Sequence, residues 1–344
     1  MNKRILCALL TLALCISALA GCKEQRSLRE FTTFAMDTAI SFTFYCRDGR
    51  RTGQAYTAMA SGLSDLDSLL SVTREDSSIA QVNRAGGRPV EVDDRTALVL
   101  SQALELCKVT GGALDITAYP AVKAWGFTAG EHRVPSPAER EELAAKIDYA
   151  AVKLEGNTVT LPEGMEIDLG AVAKGWAGDW LAQQVRNIYP GEDSALLNLG
   201  QSTIVAVGTK PGGKPWRVAI QDPVGEGTVG VVELTDCAMG TSGGYQRFFE
   251  QDGETYWHIL DPKTAAPARS GLASVTVVAP SAMTCDGLST ALFVMGLEEG
   301  TRFWRDHPEL EFEAVFVTDG GEVFCTGGLA DRFVPENREV TILE

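Results

Sequence analysis

Apolar and polar positions alternate or recur in stretches that each predict an element. Residues 38–45, Thr-Ala-Ile-Ser-Phe-Thr-Phe-Tyr, alternate like a half-buried strand. Tyr56, Met59, Leu63, Leu66 and Leu70 then recur at three- and four-residue steps, which predicts an amphipathic helix. Residues 76–83 read as a loop or short helix. Residues 95–109 predict a second helix, stopped by Gly111-Gly112 as a C-cap. Residues 137–147 predict a third. Two short polar–apolar runs, 152–155 and 158–161, flank Gly156-Asn157, a hairpin signal. Residues 165–169 read as a short strand that passes through Gly170 into a helix starting near Ala171. Its apolar stripe is Val172, Trp176, Leu181, Val185 and Ile188. Strands are expected at 195–199, 203–207, 216–220, 229–234 and 273–278. Residues 283–295 read as helix, 297–306 as a second helix, and 311–317 and 322–325 as closing strands. Strands and helices mix without strict alternation, and no linker divides the chain, so the expected class is α+β.

The N-terminus departs from this pattern. Lys3 and Arg4 precede an apolar run over residues 5–18, too short to span a bilayer and typical of a signal segment. It ends in Leu19-Ala20-Gly21-Cys22, which resembles a bacterial lipoprotein box. The resemblance implies cleavage before Cys22 and acylation of its sulfur. The expected organisation is therefore a signal peptide over 1–21, a polar tether over 22–30 and a globular domain over 31–340. The expected location is the extracytoplasmic face of the cell membrane, held by lipid.

Composition narrows the partners. With 46 acidic against 30 basic residues the net charge is −16, which argues against a non-specific nucleic-acid binder. Hydrophobic residues make up 45%, enough for a sizeable core. Cys46, Cys107, Cys237, Cys285 and Cys325 are scattered with no Cys-x-x-Cys pair, fitting neither a zinc site nor a disulfide framework. They read as buried small hydrophobes.

Several constellations could carry chemistry. Asp168 ends the expected strand at 165–169 and Lys174 lies one turn into the helix behind it. A helix start offers free N–H groups to a phosphate, although neither a P-loop nor Gly-x-Gly-x-x-Gly is present. Asp286 and Thr290 stand four apart on one helix face, where two hard oxygens could share Mg²⁺. His258 is one of three histidines and precedes a Pro-containing turn. It reads either as a packed, hydrogen-bonded ring or as a base. Residues 240–244 are expected to form a small-residue loop whose N–H groups could approach an anion, and Asn198-Leu-Gly200 falls at a strand end.

Taken in order, the motifs are Met36-Asp-Thr38, Gly112-Ala-Leu-Asp115 with Trp125-Gly-Phe127, Asp168-Leu-Gly-Ala-Val-Ala-Lys-Gly175, Leu197-Asn-Leu-Gly200, Thr241-Ser-Gly243, His258-Ile-Leu-Asp-Pro262 and Asp286-x3-Thr290. This series resembles the ApbE family of FAD:protein FMN transferases across roughly residues 31–330. The resemblance implies one α+β domain of T-fold type. It implies Mg²⁺-dependent transfer of the FMN half of FAD onto a threonine hydroxyl of a target flavoprotein, such as a membrane redox-complex subunit, with release of AMP. Carried over by motif, Met36, Thr73, Ala113, Leu114, Asp115, Asp168, Lys174, His258 and Ile259 would line the FAD site. Asp286, Thr290 and the main-chain oxygen of Ala171 would ligate the metal, and His258 and Asp286 would serve catalysis.

The chain departs from the family pattern at Thr73, where some relatives carry a tyrosine that stacks on the flavin. It also departs at Gln201 and Ser202, where a second glycine and an asparagine are common, and at Ala265, which replaces a turn glycine. Two rival readings use the same residues: a tethered FAD pyrophosphatase giving FMN and AMP, and a flavin-binding lipoprotein without chemistry. A nicotinamide oxidoreductase is disfavoured by the missing dinucleotide fingerprint.

Overall fold

The computed structural model describes residues 26–128, 130–188 and 194–344. The expected signal segment over residues 1–21, Cys22 and residues 23–25 lie outside them. Among the described residues no helix is long and apolar enough to cross a membrane.

Among the described residues nine strands form the central sheet, in the spatial order Ser27–Ala35, Thr38–Cys46, Ser194–Leu199, Thr203–Gly208, Ala238–Gly243, Leu272–Ala279, Glu313–Thr318, Val323–Thr326 and Val340–Leu343. Every neighbouring pair is antiparallel except the last, which is parallel. The helices Ala173–Ile188 and Ala282–Asp306 lie directly on one face. The Gly49–Leu70 helix packs beside the first of them, over the strands Ser27–Ala35 and Thr38–Cys46, and Asp94–Val109 packs against the second. A three-stranded sheet, Phe333–Pro335, Thr228–Leu234 and Trp216–Gln221, covers the other face. This double cover explains the unbroken apolar run at residues 204–207. Val205 and Val207 join the helix-side core, while Ile204 and Ala206 join the core under the smaller sheet.

The helix layer sits close to the sheet because small residues permit it. A Cβ on Gly240 would lie 2.8 Å from the Cys285 carbonyl carbon, and one on Gly175 would lie 2.3 Å from the Ala282 oxygen. Residues 240–244, expected as a loop, are therefore mostly strand Ala238–Gly243, with glycine where the Ala282–Asp306 helix presses on it. Composition suggested a loop; helix–sheet distance is the actual reason for the small residues.

Other expectations change. The tether expected over 22–30 contains the start of strand Ser27–Ala35, paired from Ser27↔Cys46 onward. It is an edge strand, and its exposed polar residues resemble a linker in composition. At the other end, strand Val340–Leu343 carries the domain past residue 340. Residues 165–169 are extended but belong to no strand. Ile167 is clamped by the Asn83 amide, which donates to the Ile167 carbonyl and accepts from its N–H, both at 2.8 Å. Asp168 N–H donates to Ile116 O at 2.8 Å. The helix that follows begins at Ala173 rather than near Ala171.

The two expected helices at 283–295 and 297–306 form one element, Ala282–Asp306, broken at Gly296 with φ 83° and ψ 177°. Gly112 takes φ 81° and donates to Cys107 O, closing the Asp94–Val109 helix as expected.

Candidate active site

One cavity of about 980 Å³ opens at the edge of the helix layer, lined by residues from well-separated parts of the chain. Met36, Thr73, Ala113, Leu114, Asp115, Asp168, Ala171, Lys174, His258, Ile259, Asp286 and Thr290 all line it, so every expected site residue in the described chain meets there.

Local structure places each of them. Met36 and Asp37 form a two-residue hairpin turn, closed by the Ala35↔Thr38 pair, with φ 53° and 57°. Two successive left-handed residues are what this turn type requires, normally supplied by Asn-Gly. Here non-glycine residues accept that conformation at the cavity edge. Beside this turn, burial, aided by the nearby Asp37 charge, raises the Asp67 carboxyl above the usual carboxylate range.

Asp115 is turned to the scaffold. Its Oδ1 accepts from Thr117 N–H and Oγ1 at 2.8 and 2.6 Å, and its Oδ2 accepts from Tyr149 N–H at 3.0 Å. Thr73 Oγ1 lies 3.1 Å from Ser71 Oγ and presents no aromatic ring.

Asp286 is the most deeply held charge in the cavity. Its residue is 7% exposed. Oδ2 accepts from Gly175 N–H at 2.7 Å and Oδ1 from Thr203 Oγ1–H at 2.8 Å. Burial raises its pKa to about 6, against the pull of Lys174 and of those two hydrogen bonds. Thr290, one turn on, donates to the Asp286 main-chain oxygen at 3.2 Å and lies 3.1 Å from Ser242 Oγ.

Lys174 also faces Asp168. Burial raises that carboxyl too, opposed by the Gly170 N–H, Lys174 and Arg247. The two helices that carry Lys174 and Asp286 are tied by Asp179. Its carboxylate accepts from Ser281 Oγ–H, Ala282 N–H and Met283 N–H at 2.7, 2.7 and 3.0 Å, capping the Ala282–Asp306 helix from its neighbour.

His258 is half-buried, with its ring edge-on to Phe127. Its Nδ1 lies 3.2 Å from Arg247 O. A carbonyl only accepts, so Nδ1 carries the proton and Nε2 keeps its lone pair. Burial lowers the imidazolium pKa to about 4, so the ring is neutral near pH 7.

Two departures from the family pattern fall where backbone geometry demands most. Gln201 has φ 66° and Ala265 has φ 50°, left-handed conformations that the usual glycine adopts without strain. The Ala265 carbonyl nonetheless accepts from Trp125 Nε1 at 2.8 Å, so the turn keeps its anchor.

Sequence reasoning missed Thr203, Arg247, Tyr119 and Asn83. Thr203 gave a faint signal, a hydroxyl opening an otherwise apolar strand run. Arg247 and Tyr119 line the cavity but sit in segments whose spacing carries no chemistry by itself.

A model of the ApbE family matches residues 36–316. The chain belongs to the ApbE family. It is 36% identical over 289 residues to the FAD:protein FMN transferase of Treponema pallidum, covering 78% of each chain. It is 31% identical over 336 residues to that of Haemophilus influenzae, covering 93% of this chain and 95% of the relative. Among solved structures, the ApbE protein of Thermotoga maritima superposes with a TM-score of 0.80 at 32% identity, covering 86% of this chain and 96% of that one. The flavin transferase ApbE of Vibrio cholerae also gives 0.80, at 29% identity over 89% of this chain and 99% of that one. The ApbE fold of these neighbours agrees with the α+β architecture expected for this chain.

Proposed function

We propose that this ApbE-family chain is an FAD:protein FMN transferase, moving the FMN half of FAD onto a threonine hydroxyl of a target flavoprotein and releasing AMP. The observation that carries the reading is the convergence of all the motif residues on one cavity, around a buried carboxylate and a lysine.

In the proposed reaction the threonine oxygen attacks the phosphorus on the FMN side. The P–O bond to AMP breaks, AMP takes the bonding electrons, and the hydroxyl proton passes to a base. Lys174 supplies a fixed positive charge to the pyrophosphate. The neutral His258 offers Nε2 as a proton acceptor. The backbone around Ala113–Leu114, with Met36 and Ile259, supplies walls for the ring systems.

The site residues suit Mg²⁺. The Gly175 N–H, which in a continuing helix would go to the Ala171 carbonyl, is given to Asp286 instead. That leaves the Ala171 oxygen without its helical donor, beside Asp286 and Thr290 on the cavity wall. These three oxygens are a hard donor set of the type Mg²⁺ accepts alongside water and phosphate oxygens. Bound there, the cation would offset the charge developing on the phosphates.

Attachment to the membrane through acylated Cys22 is part of the same proposal, supported by the lipoprotein box at residues 19–22. It would hold the enzyme beside membrane-bound acceptors.

The direct test incubates the protein with FAD, Mg²⁺ and a candidate acceptor flavoprotein and reads intact masses. The proposal expects the acceptor to gain one FMN while AMP appears in equal amount. AMP with free FMN and an unmodified acceptor would support the pyrophosphatase reading. FAD left intact would favour the binding-protein reading.

A further inference from the structure

The Asp286 carboxylate is gripped from two sides by donors on different elements: the Gly175 N–H at the start of one helix and the Thr203 hydroxyl on a sheet strand. Thr203 is fully buried and opens the strand Thr203–Gly208. Its backbone pairs within the sheet, with Leu199 on one side and Gly240 on the other. The sheet therefore makes no demand on the hydroxyl, and a valine would fill the same volume. An ionised carboxylate offers about four acceptor positions. The two donors take one on each oxygen and leave the remainder for a cation.

We propose that Thr203 is a positioning residue: its hydroxyl fixes the rotation of the Asp286 carboxylate and keeps it poised to ligate a divalent cation. The inference rests on the transferase reading, in which Asp286 is a metal ligand. The physical logic is that of any ligating carboxylate. A hydrogen bond from behind fixes its orientation and favours the ionised form, and losing that bond typically costs about 10–100-fold in metal affinity. The contact also couples the sheet to the site, because Thr203 is followed directly by Ile204, which packs into the core under the smaller sheet.

The test compares Thr203→Val, Thr203→Ser and Asp286→Ala with the wild type. Mn²⁺ binding is read by electron paramagnetic resonance in the presence of FAD, with thermal melting and metal-free FAD titration alongside. Thr203→Val is expected to weaken Mn²⁺ binding about 10–100-fold, with FAD affinity unchanged and a folded melting transition, while Thr203→Ser restores most of the affinity. A merely structural role would lower the melting temperature of Thr203→Val and leave Mn²⁺ affinity alone, and that result overturns the inference. Asp286→Ala separates the two levels. If it loses Mn²⁺ while Thr203→Val keeps it, the Thr203 role is wrong and the metal assignment stands. If Asp286→Ala binds Mn²⁺ like the wild type, the metal assignment itself fails. Should Thr203→Val not fold, Thr203→Ser against Thr203→Ala poses the same comparison of hydroxyl kept and hydroxyl lost.

Discussion

A half-buried histidine whose Nδ1–H is committed to a main-chain carbonyl has only Nε2 left for chemistry. For His258 the contact with Arg247 O fixes the tautomer, while burial, against the pull of that hydrogen bond, lowers the pKa from 6.5 to about 4. If the neutral ring accepts the threonine proton, its contribution is constant across neutral pH and fades only as pH falls toward 4. Transfer by the wild type, at saturating FAD, should therefore show no His258-dependent step near pH 6.5. A step at that pH, absent from His258→Ala, would contradict this account of the ring. The stability sign follows from the same shift. A base whose folded pKa is depressed contributes fully above its unfolded value. That contribution is lost as pH falls through the window from 6.5 to about 4, because the unfolded chain takes up a proton the native one refuses. His258→Gln should accordingly gain stability relative to the wild type in urea unfolding at pH 5 compared with pH 7. An unchanged difference between the two pH values would argue against a neutral, desolvated ring.

At the scale of elements, the site depends on how closely two helices approach. Gly175 has room for no side chain: its Cβ would fall 2.3 Å from the Ala282 oxygen and 2.6 Å from Met283 Cα. Gly175→Ala should force the helices Ala173–Ile188 and Ala282–Asp306 apart, disturb the hydrogen bond to Asp286 and cost about 1–3 kcal/mol in urea unfolding. Gly53 provides the contrast. It lies in the Gly49–Leu70 helix with nothing within 4 Å of its would-be Cβ, so Gly53→Ala should stabilise by about 0.5–1 kcal/mol. Equal effects from the two substitutions would mean that helix approach is not what the glycine serves.

The same packing shows what the sequence could and could not reveal. The helix stripe Met59, Leu63, Leu66 and Leu70 was legible because one face is buried and the period is helical. The break at Gly296 was legible as two apolar runs. The strand Ala238–Gly243 was not, because small residues chosen for close helix contact look like those of a loop. Nor was the edge strand Ser27–Ala35, whose polarity answers to solvent. In the site, residues within continuous motifs were readable. Thr203 and Asn83 act through hydrogen bonds to distant segments, contacts at |i−j| of 83 and 84, which no local pattern encodes.

For the molecule as a whole, the sheet with its two covered faces is a rigid frame, and the cavity lies where the hairpin turn at Met36, the 113–119 segment and the two inner helices meet. The frame itself says nothing of the cell surface; the proposed anchor rests on the resemblance of residues 19–22 to a lipoprotein box. Cys22→Ala should move the protein from the membrane fraction to the soluble fraction, or leave it unprocessed. Wild-type protein recovered soluble and without lipid would contradict the anchor.

The central claim is that Asp286 serves transfer rather than the binding of FAD. In the proposed reading the flavin and adenine rings would meet other walls of the cavity, so binding and chemistry should separate. The deciding measurement pairs an FAD titration of Asp286→Ala with intact-mass detection of FMN on an acceptor protein. The account predicts measurable FAD affinity together with loss of transfer by about 10²–10³-fold or more, the scale seen when electrostatic stabilisation of a transition state is removed. Transfer by Asp286→Ala at the wild-type rate would contradict it.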